Sequence, residues 1–183
     1  MKKYFLAILL LIISACSSSD ESTKFEIPDE LDENIAVSQS NKFSVNIPVQ
    51  WKNILDNSET IFDIWLISPT NNTVIGFIPL SINDDIEEED KIKLLSKFNI
   101  ESLKSKDAEI DSSETFTLME IDGILASPLF YEIDGKKYNT IIFGKNEIFY
   151  KSLAYFGNGY KPSDDEIEEL IELQELVISS AKF

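Results

Sequence analysis

Residues 124–143 read ILASPLFYEIDGKKYNTIIF. Ile124 to Ile133 and Lys137 to Phe143 are rich in branched and aromatic side chains, with Asp134-Gly135 between them. Asp-Gly is a strong signal for a two-residue hairpin, because both turn positions need positive φ and these residues tolerate it. The two runs are therefore read as adjacent antiparallel strands. The same punctuation recurs on either side. Asp122-Gly123 precedes the first run and follows another at Glu114 to Ile121, while Gly144-Lys145-Asn146 leads into Glu147 to Phe156. Four strands in a meander follow. Pro128 predicts an edge position or a bulge in the second, since proline cannot donate to a ladder.

Upstream, Phe43, Val45 and Ile47 alternate with Ser44 and Asn46, the pattern of a half-buried strand that Pro48 ends. Ile61 to Ile67 and Thr73 to Ile82 read as two more strands, joined by a turn at Ser68-Pro69-Thr70-Asn71-Asn72. Glu87 to Lys104 reads as a helix. Acids crowd its first turn and Lys97, Lys104 and Lys106 its end, as the macrodipole favours. Its apolar face is Ile92, Leu95 and Asn99, widened by Leu94 and Phe98. After Lys161-Pro162, Ser163 and Glu166 spell a capping box. The helix it opens has the face Ile167, Leu170, Ile171, Gln174, Val177 and Ile178. Phe25 to Ser40 is acidic and mixed, with one loose turn around Asp29 to Asn34, so order is expected from Phe43. Three strands, a helix, four strands and a helix predict an α+β domain. It is an antiparallel sheet of about six to seven strands flanked by helices, an α/β/α sandwich.

One stretch carries a resemblance. Phe43-Ser44-Val45-Asn46-Ile47-Pro48-Val49-Gln50-Trp51 is similar to the opening of PsbP-like domains, in which a strand runs into a proline and then a tryptophan. The hairpin-rich second half and the ending Val177-Ile178-Ser179-Ser180-Ala181-Lys182-Phe183 resemble that superfamily too. The resemblance spans residues 41–183. It implies a helix–sheet–helix sandwich of a kind found in secreted or lipid-anchored accessory proteins and seldom in enzymes.

The N-terminus supplies an address. Met1-Lys2-Lys3 is basic, and Tyr4 to Ile13 is an unbroken apolar run, far short of the roughly 20 residues a bilayer span needs. It fits the hydrophobic region of a secretory signal. Ile13-Ser14-Ala15-Cys16 follows, and Cys16 is the one cysteine of the chain. These residues resemble the bacterial lipobox. The resemblance implies that the Cys16 thiol receives a diacylglyceryl group, that cleavage falls before it, and that the new amine is open to acylation. Two or three acyl chains anchor stably where one does so only marginally. A buried small hydrophobe or a free redox thiol are the rival readings of Cys16. Ser17-Ser18-Ser19-Asp20-Glu21 is too polar to pack, and a redox role leaves the apolar run unexplained. The chain thus divides into a signal peptide (1–15), a lipidated cysteine with a polar and acidic tether (16–40), and one globular domain (41–183). Serine at position 17 resembles proteobacterial lipoproteins sorted to the outer membrane. The serines before Asp20-Glu21 resemble surface-export signals of some Bacteroidota, so the side of that membrane stays open.

Composition narrows the chemistry. The chain has 16 basic and 33 acidic side chains, a net charge of −17. Such a field repels nucleic acid and anionic headgroups. Every basic residue is lysine, with no histidine and no arginine. That excludes Ser-His and Cys-His nucleophiles, imidazole zinc ligands and bidentate guanidinium clamps. No cofactor or metal is expected. Asn83 to Asp90 lacks the glycine and ligand spacing of a calcium loop, and reads as a helix start, as does Asp164-Asp165-Glu166. Gly157-Asn158-Gly159 reads as a turn rather than a phosphate loop. Ser179-Ser180-Ala181-Lys182 spells S-x-x-K without its partner motifs. Trp51, Trp65, Phe130, Tyr131, Tyr138, Phe149, Tyr150, Tyr155 and Phe156 are expected mostly in the core, some of them lining a ligand pocket or a partner face. The sequence therefore predicts a non-catalytic, lipid-anchored binding or accessory module of the cell envelope, of an immunity type or serving a membrane complex. Its partners are the membrane, through lipid, and a protein. The alternative is a small envelope hydrolase using carboxylate or Ser-Lys chemistry.

Overall fold

The computed structural model describes residues 27–55, 61–70, 72–83, 85–110, 117–157 and 159–183. The signal segment, Cys16 and the start of the tether lie outside them, as do residues 114–116 of one expected strand. The chain forms β1 (Leu31–Val37), β2 (Ser44–Pro48), β3 (Lys52–Asn53), β4 (Ile64–Ile67) and β5 (Thr73–Leu80), then α1 (Glu88–Lys104). β6 (Glu109–Ile110), β7 (Met119–Ile121), β8 (Ile124–Ile133), β9 (Lys136–Lys145) and β10 (Ile148–Phe156) follow, and α2 (Asp164–Ser179) closes it. β1 and β2 pair alone. The rest make an eight-stranded sheet in the order β3-β4-β5-β10-β9-β8-β6, with β7 also on β8. All these pairings are antiparallel. The fold is α+β, a sheet flanked by helices, as the hairpin pattern predicts.

The meander β7-β8-β9-β10 is present, and its turns take the expected backbone. Asp122 and Gly123 have φ of 48° and 75°, and Asp134 and Gly135 have 52° and 72°. The third turn is displaced. It falls at Asn146 (φ 55°) and Glu147 (φ 65°), while Gly144 remains inside β9. A Cβ on Gly144 would stand 2.3 Å from the Phe149 ring and 2.9 Å from the Ile148 carbonyl oxygen. The glycine thus makes room for an aromatic ring on the neighbouring strand rather than for a turn. Pro128 pairs with Ile141 of β9. On its other side β7 reaches Ala126 and β6 begins at Tyr131, so among the described residues nothing pairs with 127–130 there. The edge position expected of Pro128 is what the ladder shows.

Order begins earlier than Phe43. Leu31–Val37, read from sequence as part of a loose acidic lead, is β1, and Ala36 is fully buried. Its pattern conceals this because Ile35 and Val37 point to solvent, while Ala36 is buried and Leu31 packs partly against the core. Hydrogen bonds to β2 and burial under the domain decide the strand. The opening and ending stretches singled out in sequence lie side by side: the backbones of Ser44 and Lys182 exchange hydrogen bonds of 2.9 and 3.0 Å.

α2 and the β1–β2 hairpin cover one face of the sheet. Ile167, Leu170, Leu173, Val177 and Ile178 are buried against it, each stabilising by about 1.5–3 kcal/mol. The Ser163–Glu166 capping box is formed in both directions. Phe43 of the hairpin stacks on Tyr150 at 4.0 Å and touches Phe77, Phe143 and Phe183. A polar strut crosses this otherwise apolar layer. Asn139 donates to Gln174 Oε1 and Gln174 donates to Ser152 Oγ, both at 2.8 Å.

α1 covers the other face more lightly. Its buried residues are Lys91, Ile92, Ser96 and Leu103, so only two are large and apolar. Phe98, expected on the buried face, is 62% exposed. The helix crosses the sheet over β8 and β9, leaving Phe98 on its flank.

Candidate interaction surface

The register of the strands places side chains in rows across the face beneath α1, because directly paired residues share a face. One row runs Tyr131, Tyr138, Tyr155, Val74, Ile67 across β8, β9, β10, β5 and β4. The next runs Leu129, Thr140, Leu153, Gly76, Trp65, and a third Ser127, Ile142, Lys151, Ile78. Over β8 and β9, α1 caps these rows. Ile92 and Leu95 pack with Ile142, Phe149 and Leu125, and Ile100 and Leu103 with Leu129 and Tyr131. Over β10, β5 and β4 the described residues give less cover: the Phe62 ring lies on Gly76 beside Trp65, and Val74 is buried. Trp65, Ile67, Ile78, Lys151, Leu153 and Tyr155 are all half-buried. On the α2 side the same strands bury Ile64, Leu66, Ile75, Phe77 and Ala154 almost completely.

The tyrosine row is stacked. Tyr131 and Tyr138 lie 5.3 Å apart at 12°, and Tyr155 tilts against Tyr138 at 5.7 Å. Burial raises the pKa of all three, so they are neutral phenols at physiological pH. Burial also pushes the Lys151 ammonium down, and Lys106 adds to the effect.

Of the nine aromatics singled out in sequence, Trp51, Tyr131, Phe149, Tyr150 and Phe156 are buried, and Trp65, Phe130, Tyr138 and Tyr155 half-buried. Tyr150 is on the α2 side. Its hydroxyl donates to Asp63 at 2.7 Å, and burial together with that carboxylate pushes its pKa up to about 12. The other candidates are dispersed. Glu88 accepts from the Asn146 amide, and Glu89 and Asp90 bridge Lys93. Glu166, buried, accepts from the Tyr160 hydroxyl and from the Ser163 amide and hydroxyl. Ser179 and Ser180 each donate to a carbonyl of the last α2 turn at 2.7 Å, while Lys182 is exposed. Their hydroxyls thus serve the helix end. Gly157 and Gly159 flank Asn158, which lies outside the described residues; the Tyr160 amide donates back to Gly157 at 3.3 Å, closing a turn. Ile13, Ser14, Ala15 and Cys16 also lie outside the described residues. Among those residues no helix is long and apolar enough to cross a membrane.

Sequence reasoning missed Lys151 as part of a site. The signal is present in β10, where Phe149, Lys151, Leu153 and Tyr155 alternate on one face and a lysine interrupts apolar positions.

No family model matches the chain, and no curated protein sequence is significantly similar to it. Solved structures that match the chain in part include two. LpqN, involved in cell envelope biogenesis of Mycobacterium tuberculosis, is 15% identical, with a TM-score of 0.49 over 76% of this chain and 82% of that one. The immunity protein TplEi of the type VI secretion system from Pseudomonas aeruginosa is 13% identical, with a TM-score of 0.40 over 77% of this chain and 45% of that one.

Proposed function

We propose that the chain is a lipid-anchored cell-envelope protein whose single domain, PsbP-like in architecture, is a non-catalytic module that binds a protein partner. In this reading residues 1–15 are removed, Cys16 carries the lipid at the outer membrane, and the polar residues after it tether the domain. One observation carries the binding role. Among the described residues the sheet face over β10, β5 and β4 presents half-buried Trp65, Ile67, Ile78, Leu153 and Tyr155, whereas on the opposite face of the same strands Ile64, Leu66, Ile75, Phe77 and Ala154 are almost completely buried. Contiguous apolar surface of this kind marks interaction sites.

The experiment has two arms. A Cys16→Ser chain leaves the membrane fraction or accumulates as unprocessed precursor; membrane association equal to wild type removes the anchor. A photo-crosslinking residue at Tyr155 of the anchored chain gives a protein adduct, and the same residue at Glu168, exposed on α2, does not. Equal adducts at both positions, or none at Tyr155, removes the face.

A further inference from the structure

Lys151 stands on β10, where the lightly covered strip meets the part of the sheet that α1 caps. Its partners across the strands are Ile78 and Ile142, and Phe149 and Leu153 share its face along β10. The chain carries 33 acids, yet among the described residues none forms an ion pair with Lys151. The charge that acts on it is another lysine, Lys106. Lys91 differs: it lies on α1, is buried, and is paired with Glu147. A half-buried ammonium without a counter-ion has already lost hydration. An anion brought to it gains more than it would at an exposed lysine, because the attraction acts where water is partly excluded.

We propose that this face binds a protein segment that sets an aspartate or glutamate carboxylate against Lys151, its apolar side chains lying over Trp65, Leu153 and Tyr155. The proposal rests on the reading of this face as the binding surface and names the chemistry of its partner. Strand spacing of about 4.8 Å makes the β4-β5-β10 strip some 10 Å wide, the width of one helix or two strands. Rows of separate side chains at that spacing suit side chains of a second polypeptide. A second copy of this chain is disfavoured, because each copy brings a net charge of −17. Lys106, exposed and near enough for its charge to act on Lys151, reinforces the preference for a negative group.

The test uses the full, membrane-anchored chain with benzoylphenylalanine at Tyr155, the adduct being mapped by mass spectrometry. The expected partner peptide has Asp or Glu close to the crosslinked residue, among apolar neighbours. Lys151→Met, which keeps the apolar stem, lowers adduct yield about fivefold or more, while Lys151→Arg retains most of it. An unchanged urea midpoint for Lys151→Met separates this loss from unfolding. Changing the partner's acid to lysine abolishes the adduct, and pairing that change with Lys151→Glu restores it. Adduct yield that is indifferent to Lys151→Met overturns the charge assignment and leaves the face reading intact. No adduct at all overturns both. An adduct to lipid, or to a second copy of this chain, overturns the choice of occupant.

Discussion

Gln174 offers the most demanding test of how the sheet and α2 are joined. It is fully buried, accepts from Asn139 of β9 and donates to Ser152 of β10, and both those residues are buried as well. Gln174→Leu keeps the volume and removes both bonds, leaving an amide N–H and a hydroxyl without partners in an apolar layer. Each orphaned group costs about 1–3 kcal/mol, so the substitution should destabilise by about 2–6 kcal/mol. Urea denaturation followed by tryptophan fluorescence reads this directly. With a slope of about 2 kcal/mol/M the midpoint falls by about 1–3 M. The triple variant Gln174→Leu, Asn139→Leu, Ser152→Ala removes all three polar groups and should recover most of the loss, because no orphan remains. A single variant that costs less than about 1 kcal/mol would refute the reasoning. So would a triple variant as unstable as the single one.

Two further outcomes follow from local geometry. Tyr150 has its pKa raised from 10.0 to about 12 by burial and by Asp63. The unfolded chain therefore loses this proton first: the stabilisation is intact below pH 10 and is lost as pH rises toward 12. Tyr150→Phe should flatten that window and cost about 1–3 kcal/mol at neutral pH through loss of the bond to the carboxylate, both read from urea midpoints across pH. Gly144→Ala should cost about 1–3 kcal/mol, since its methyl meets the Phe149 ring and a backbone oxygen; combining it with Phe149→Leu should return part of that loss.

Most of the local structure was legible along the chain. Asp122-Gly123 and Asp134-Gly135 declare their turns because positive φ is a property of the residues themselves. Ser163 and Glu166 declare a helix start because their hydrogen bonds close within one turn. Three successive hairpins then dictate a meander, and a meander with two amphipathic helices dictates an α+β sandwich. The lipobox resemblance of Ile13-Ser14-Ala15-Cys16 is likewise a local feature.

What the chain could not declare depends on contacts between distant residues. Leu31–Val37 looks like an acidic lead until β2 pairs with it, and Gly144 looks like turn punctuation until Phe149 is laid across it. Phe98 fits an apolar helix face, but α1 crosses the sheet over β8 and β9 and leaves it on the flank. Lys151 is the sharpest case. Alternation in β10 shows which side chains it accompanies. Among the described residues, the lean cover of that half of the sheet comes from where α1 lies, and the lack of an ion pair at Lys151 from how distant acids are distributed. A turn or a cap involves neighbours within four residues, so the sequence by itself determines it. Cover and charge pairing are sums over the whole folded molecule, so only the tertiary structure decides them.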